Sequence, residues 1–123
     1  MVINGAGASA MACTNLFINT GVKDKNITML DSKGVIHSER DDLNEWKKKF
    51  AIKTKNRTLN DAINEADVFL GLSQAGVLKK EMVKKMSKNP IVFACANPDP
   101  EIIPEDVEDV RDDAIIALSL IHI

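Results

Sequence analysis

Tyrosine is absent from this chain, aromatic residues make up only 4% of it, and cysteine and histidine occur twice each. Cys13 and Cys95 lie far apart and form no CxxC pair, which argues against a disulfide scaffold and fits free thiols in a reducing, cytoplasmic compartment. His37 and His122 complete no recognisable triad and read as surface or incidental positions. Charge of one sign is also missing: sixteen Lys and Arg stand against eighteen Asp and Glu, a net of -2. That balance gives no nucleic-acid footprint and no polybasic membrane patch. No apolar run approaches the roughly 18 residues of a membrane span. The N-terminus lacks the basic region and apolar run of a signal peptide, although a targeting segment upstream is left open. There are no internal repeats and no low-complexity tract. With 123 residues the chain is long enough for one modest domain and too short for two.

What the chain does contain is a regular alternation. Val2 and Ile3 form a short apolar stub, and Ala8, Met11, Ala12, Leu16 and Phe17 follow at the spacing of a largely buried helix ending near Gly21. Ile27 to Leu30 reads as a second strand, closed by a turn at Asp31-Ser32-Lys33-Gly34. Leu43, Trp46 and Phe50 at i, i+3 and i+7 predict an amphipathic helix with lysines 47 to 49 on its wet side. Thr58 can cap a second amphipathic piece running through Leu59, Ala62, Ile63 and Ala66. Val68 to Leu72 is a strand, Lys79 to Met86 a helix with Met82, Val83 and Met86 inward, and Pro90 to Ala94 the next strand. Asn97-Pro98-Asp99-Pro100 is a rigid loop, because each proline fixes its own dihedral and biases its predecessor away from helix. Ala114 to Ala117 is one more short strand. Strands that are almost wholly apolar and alternate with helices predict an α/β, Rossmann-like open sheet, mostly parallel, with helices on both faces.

The opening segment VINGAGASA presents Gly5, Gly7 and Ala10 where strand gives way to helix. In a dinucleotide-binding turn the first glycine permits a tight turn and the second lets backbone approach a pyrophosphate. The third position needs only a small side chain for close helix packing. The helix beginning near Ala8 would aim unpaired N–H groups and its positive end at the phosphates. Small residues also crowd ordinary turns, so context decides. Asp31 follows Gly7 by 24 positions, near the customary separation of about 20 for an acid that accepts bonds from the adenosine ribose. Its charge favours NAD over a 2'-phosphate, whereas Ser32 and Lys33 beside it can compensate that phosphate, which leaves NAD or NADP open.

Two later strands finish in polar segments where this fold keeps its ligand crevice, Ser73-Gln74-Ala75-Gly76 and Asn97-Pro98-Asp99-Pro100. Ser73 reads either as a cap or as a contact to the nicotinamide side. Asn97 reads either as an Asn-Pro turn former or as an uncharged amide for a carboxylate or carboxamide. The acidic residues from Asp99 to Asp109 lack the ligand spacing and central glycine of an EF-hand loop and read as a solvated face. Asp112 and Asp113 fit a turn or an approach to the crevice. Cys13 and Cys95 read as small packed residues rather than nucleophiles.

The segments VINGAGASA, DSKGVI, TLNDAINEADVFLGLSQAGVL, MVKKMSKNPIVFACANPDPEI and RDDAIIA together resemble the NAD(P)-binding domain of malic enzyme, particularly its bacterial forms. The glycine motif is shared by many dehydrogenases; the ordered combination is much narrower. The resemblance covers residues 1-117, with 118-123 an atypical tail outside it. It implies oxidative decarboxylation of L-malate to pyruvate and carbon dioxide, with NAD or NADP as hydride acceptor and Mg or Mn required by the complete enzyme. It further implies cofactor contacts by Gly5, Ala6, Gly7, Ala8, Ser9, Ala10, Asp31, Ser32, Lys33, Ser73 and Asn97, with Asn97 also beside the substrate carboxylate. The family's metal ligands, catalytic lysine and catalytic tyrosine precede the portion represented here, so no catalytic or metal residue is assigned. The expectation is a domain truncated at both ends, inactive alone, cytoplasmic, and part of a homo-oligomer when full length. A stand-alone, non-catalytic dinucleotide-binding module is the alternative.

Overall fold

In the computed structural model, which describes residues 1–119, the apolar segments become six strands of one sheet: β1 (Val2–Asn4), β2 (Thr28–Asp31), β3 (Gly34–Val35), β4 (Val68–Gly71), β5 (Ile91–Ala94) and β6 (Ile115–Leu118). Their spatial order is β3-β2-β1-β4-β5-β6, parallel except for the β2–β3 hairpin. Five α-helices accompany them, α1 (Ala8–Asn19), α2 (Glu45–Lys48), α3 (Leu59–Ala62), α4 (Lys80–Lys84) and α5 (Pro104–Val110), with one 3-10 turn at Asp24–Asn26. This is the α/β, mostly parallel, helix-covered sheet expected from the sequence.

Successive strand residues point to opposite faces, and here both faces are dry. Ile3, Met29 and Leu70 form one core with Ala10 of α1, while Val2, Leu30, Phe69 and Val92 form the other with Ile63, Val83 and Val107. The central strands β1 and β4 therefore need apolar runs rather than alternating ones, while the edge strand β6 is more open, with Ile115 62% exposed. Thr58 begins α3 with a reciprocal capping box: its hydroxyl accepts the Asp61 N–H, and the Asp61 carboxylate accepts the Thr58 N–H, each at 3.2 Å.

Several local expectations are corrected. The helix expected around Trp46 is a single turn; Leu43 is buried, but Trp46 is 58% exposed, with the Lys49 ammonium 4.8 Å from its ring centre. Lys47 turns inward to Asp31 instead of lying on a wet face. The acidic stretch contains α5, opened by Pro104 at a first-turn position where proline's missing N–H costs nothing. Glu101, read as part of a solvated face, is fully buried. His37 is half-buried and its Nδ1 has no hydrogen-bond partner among the described residues. Asp112 and Asp113 precede β6 at the amino end of the strands; Asp113 pairs with Arg111 and accepts the Asn89 N–H, away from the crevice. Cys13 and Cys95 are free thiols packed against the α1-side core. Strand β6 continues through Leu118, and the tail from 120 to 123, with His122, lies outside the described residues.

The chain passes from β1 to β2 on one side and returns to place β4 on the other. Such a reversal opens a crevice beyond the carboxyl ends of β1 and β4.

Candidate functional site

The crevice is a cavity of about 970 Å³ whose walls include Gly5, Ala6, Gly7, Asp31, Lys33 and Ser73. Gly5 leaves β1 with φ +136° and donates its N–H to the Leu30 carbonyl at 2.8 Å. A Cβ there would lie 3.1 Å from the Leu72 carbonyl oxygen, so only glycine lets the backbone pass between the neighbouring strands without strain. Gly7 is the N-cap of α1, and a Cβ on it would meet nothing within 4 Å. Among the described residues no side chain caps α1, and no acidic residue occupies its first turn. The N–H groups of a helix start that lack side-chain partners form a ready anion site. Ala8 and Ser9 are exposed at this end, while Ala10 is completely buried in the core beneath it. The small third position therefore serves packing, as the motif's logic requires.

At the β2 end, Asp31 is not free. Its oxygens accept from the Arg40 guanidinium in a bidentate pair, each bond 2.9 Å, and from the Lys47 ammonium at 2.9 Å. The Lys33 backbone N–H adds a bond of 3.0 Å. Burial pushes the Asp31 carboxyl up, but these donors bring it down to about 2. Arg40 also reaches Asp42, which pairs with Lys33 at 3.2 Å. Arg40 and Lys33 hold the Asp42 carboxyl well below the usual carboxylate range. The cluster thus sets three cations, Lys33, Arg40 and Lys47, against two carboxylates and carries one positive charge in excess. Ser32 and Lys33 line the cavity here together with Lys47 and Arg57, neither of which the sequence reading selected.

At the other end, the exposed Ser73 follows β4, and its hydroxyl accepts from the buried Asn4 carboxamide at 3.1 Å. Asn97 is exposed on the loop after β5 and does not line the cavity. The two loops are tied together. Glu101 accepts the Ser73 N–H at 3.3 Å and the Ala96 N–H at 2.9 Å, Pro100 accepts the Gly76 N–H, and the Glu101 carbonyl accepts the Leu78 N–H, both at 3.1 Å. Glu101 and Asn4 were missed because burial of a polar residue leaves no local sequence signal.

Residues 1–119 match the family model described as "Malic enzyme, NAD binding domain". The NADP-dependent malic enzyme of Halomonas elongata is 53% identical over 95% of this chain, which spans 28% of that protein. The crystal structure of Entamoeba histolytica malic enzyme superposes with a TM-score of 0.86 at 36% identity, over 96% of this chain and 26% of that one. That of the NAD-dependent malic enzyme from Thermotoga maritima gives 0.85 at 36%, over 95% and 32%. A glycine-opened crevice at the strand reversal and a family match along nearly the whole described chain lead to one assignment: this chain belongs to the malic enzyme NAD-binding domain family.

Proposed function

We propose that this chain is the NAD(P)-binding part of a cytoplasmic, homo-oligomeric malic enzyme that, when complete, oxidatively decarboxylates L-malate to pyruvate and carbon dioxide. The observation that carries this reading is the uncapped start of α1, opening through Gly5 and Gly7 onto the crevice. The bound dinucleotide supplies the hydride acceptor. In this reading the N–H groups of Ala8, Ser9 and Ala10 hold the pyrophosphate, with Ala6 and the glycines admitting it. Ser32, Lys33 and Lys47 receive the adenosine ribose and its substituent. Ser73 flanks the nicotinamide, and Asn97 offers a neutral amide to the ring or to the substrate carboxylate. Mg or Mn belongs to the complete enzyme; among the described residues no group of three or more His, Cys, Asp or Glu comes together to hold a metal. The chain's own work is binding and orientation, and malate turnover is not expected from it alone.

The excess positive charge at Lys33, Arg40 and Lys47 favours a 2'-phosphate. Calorimetric titration should therefore give saturable binding of both dinucleotides, with NADP the tighter. Lys47→Ala should weaken NADP about tenfold, since a hydrogen bond to a charged group contributes about 1.5 kcal/mol or more, and should weaken NAD much less. Absence of saturable binding by the folded chain would contradict the reading, and so would robust malate oxidation by this chain alone.

A further inference from the structure

We propose that Glu101 makes the nicotinamide end of this site select the oxidised, positively charged ring over the reduced, neutral one. The inference rests on the dinucleotide-binding reading above and adds a redox preference to it. Glu101 has no exposed surface, and it enters no ion pair among the described residues. An ionised carboxylate can only accept hydrogen bonds, and both Glu101 oxygens meet backbone donors, the N–H groups of Ala96 and Ser73. The side chain lies across the carboxyl end of β4, where a Cβ on Gly71 would come within 2.3 Å of its Cδ. It therefore sits directly beneath the loop assigned to the nicotinamide side.

The nearby lysines are committed elsewhere. Lys79 donates to the Gly76 carbonyl at 2.6 Å, and Lys80 pairs with Asp109 and Asp106. A buried charge without a counter-ion is weakly screened, so its field reaches further than that of a surface carboxylate. Burial pushes the Cys95 thiol up, and the nearby Glu101 charge adds to the effect. Oxidised and reduced dinucleotide differ at the ring by one positive charge and are otherwise held by the same groups. Their affinity ratio therefore isolates the electrostatics at this end from the packing role of the same side chain.

The test is calorimetric titration of the full chain, native and as Glu101→Gln and Glu101→Asp, with NADP in its oxidised and reduced forms. The native chain should bind the oxidised form about tenfold tighter. Glu101→Gln should lose most of that preference, while Glu101→Asp, which keeps the charge, should retain it. A purely structural Glu101 would move both affinities together. Equal or tighter binding of the reduced form by the native chain overturns the proposal, whether or not the glutamine variant folds. An unchanged ratio in a folded Glu101→Gln variant overturns it equally. In both cases dinucleotide binding itself stands, whereas a native chain that binds neither form removes the parent reading and this one with it.

Discussion

Asp31→Asn is expected to destabilise the chain by about 3 kcal/mol, the range seen when one partner of a buried ion pair is removed. Asp31 and Arg40 have side chains only 6% and 10% exposed, so the pair is shielded from water. Asparagine keeps the shape but turns one acceptor into a donor facing the guanidinium or the Lys47 ammonium. Arg40 retains Asp42, which limits the loss. The pH dependence has a defined sign. The native Asp31 carboxyl is held at about 2, below its ordinary value of about 3.9. Its contribution is therefore complete above about pH 4 and disappears as the pH falls toward 2. Urea denaturation of native and Asp31→Asn chains at pH 7 and pH 2.5 should show a gap in stability that narrows sharply in acid. An equal gap at both pH values would sink the ion-pair account. The same variant should raise the preference for NADP, because the excess of positive charge grows by one.

Gly71→Ala should be comparably damaging although it adds a single methyl group. The new Cβ would lie 2.3 Å from both Cδ and Oε2 of Glu101, and the strand ladder to β1 and β5 fixes the backbone on either side. Overpacking of this kind costs about 1–3 kcal/mol. Displacing Glu101 also strands the Ser73 and Ala96 N–H groups, each costing about 1–3 kcal/mol when left unsatisfied. Against a typical domain stability of about 5–15 kcal/mol, a drop of about 4 kcal/mol would be plain in the denaturation midpoint. Amide hydrogen exchange should localise the loosening to the segments around Ser73 and Ala96. A folded Gly71→Ala chain with native protection there would show that Glu101 does not hold the two loops.

The central parallel strands were legible because their residues, such as Val2 and Ile3 or Phe69 and Leu70, face a core on both sides. Strand β6 was legible from its apolar run although Ile115 is 62% exposed, and the two-residue edge strand β3, whose Gly34 was read as the end of a turn, was not legible. Gly5 was legible for its backbone and Ala10 for its packing, whereas Gly7, on which a Cβ would meet nothing within 4 Å, was legible only through the motif's demand that backbone approach a pyrophosphate. The Asp31 cluster was not, since Arg40 and Lys47 reach it by chain reversal rather than at helical spacing, and Leu43, Trp46 and Phe50 imitate a helical stripe where only one turn forms. Helix α5 did carry a signal: Pro104, two acids in the first turn, then Val107 and Val110 three apart. The surrounding acids obscured it. Nothing local could mark Glu101 as buried, because its partners at Ser73 and Gly71 come from another strand's end.

Backbone amide chemical shifts of this chain during titration with NADP test the central claim most directly. The account predicts saturable shifts concentrated at Gly5 through Ala10, Asp31 through Lys33, and Ser73. The segment from Lys84 to Asn89 and the residues around Asp113, at the opposite end of the sheet, should stay unmoved. Saturable shifts centred there, or none at the start of α1, would contradict it.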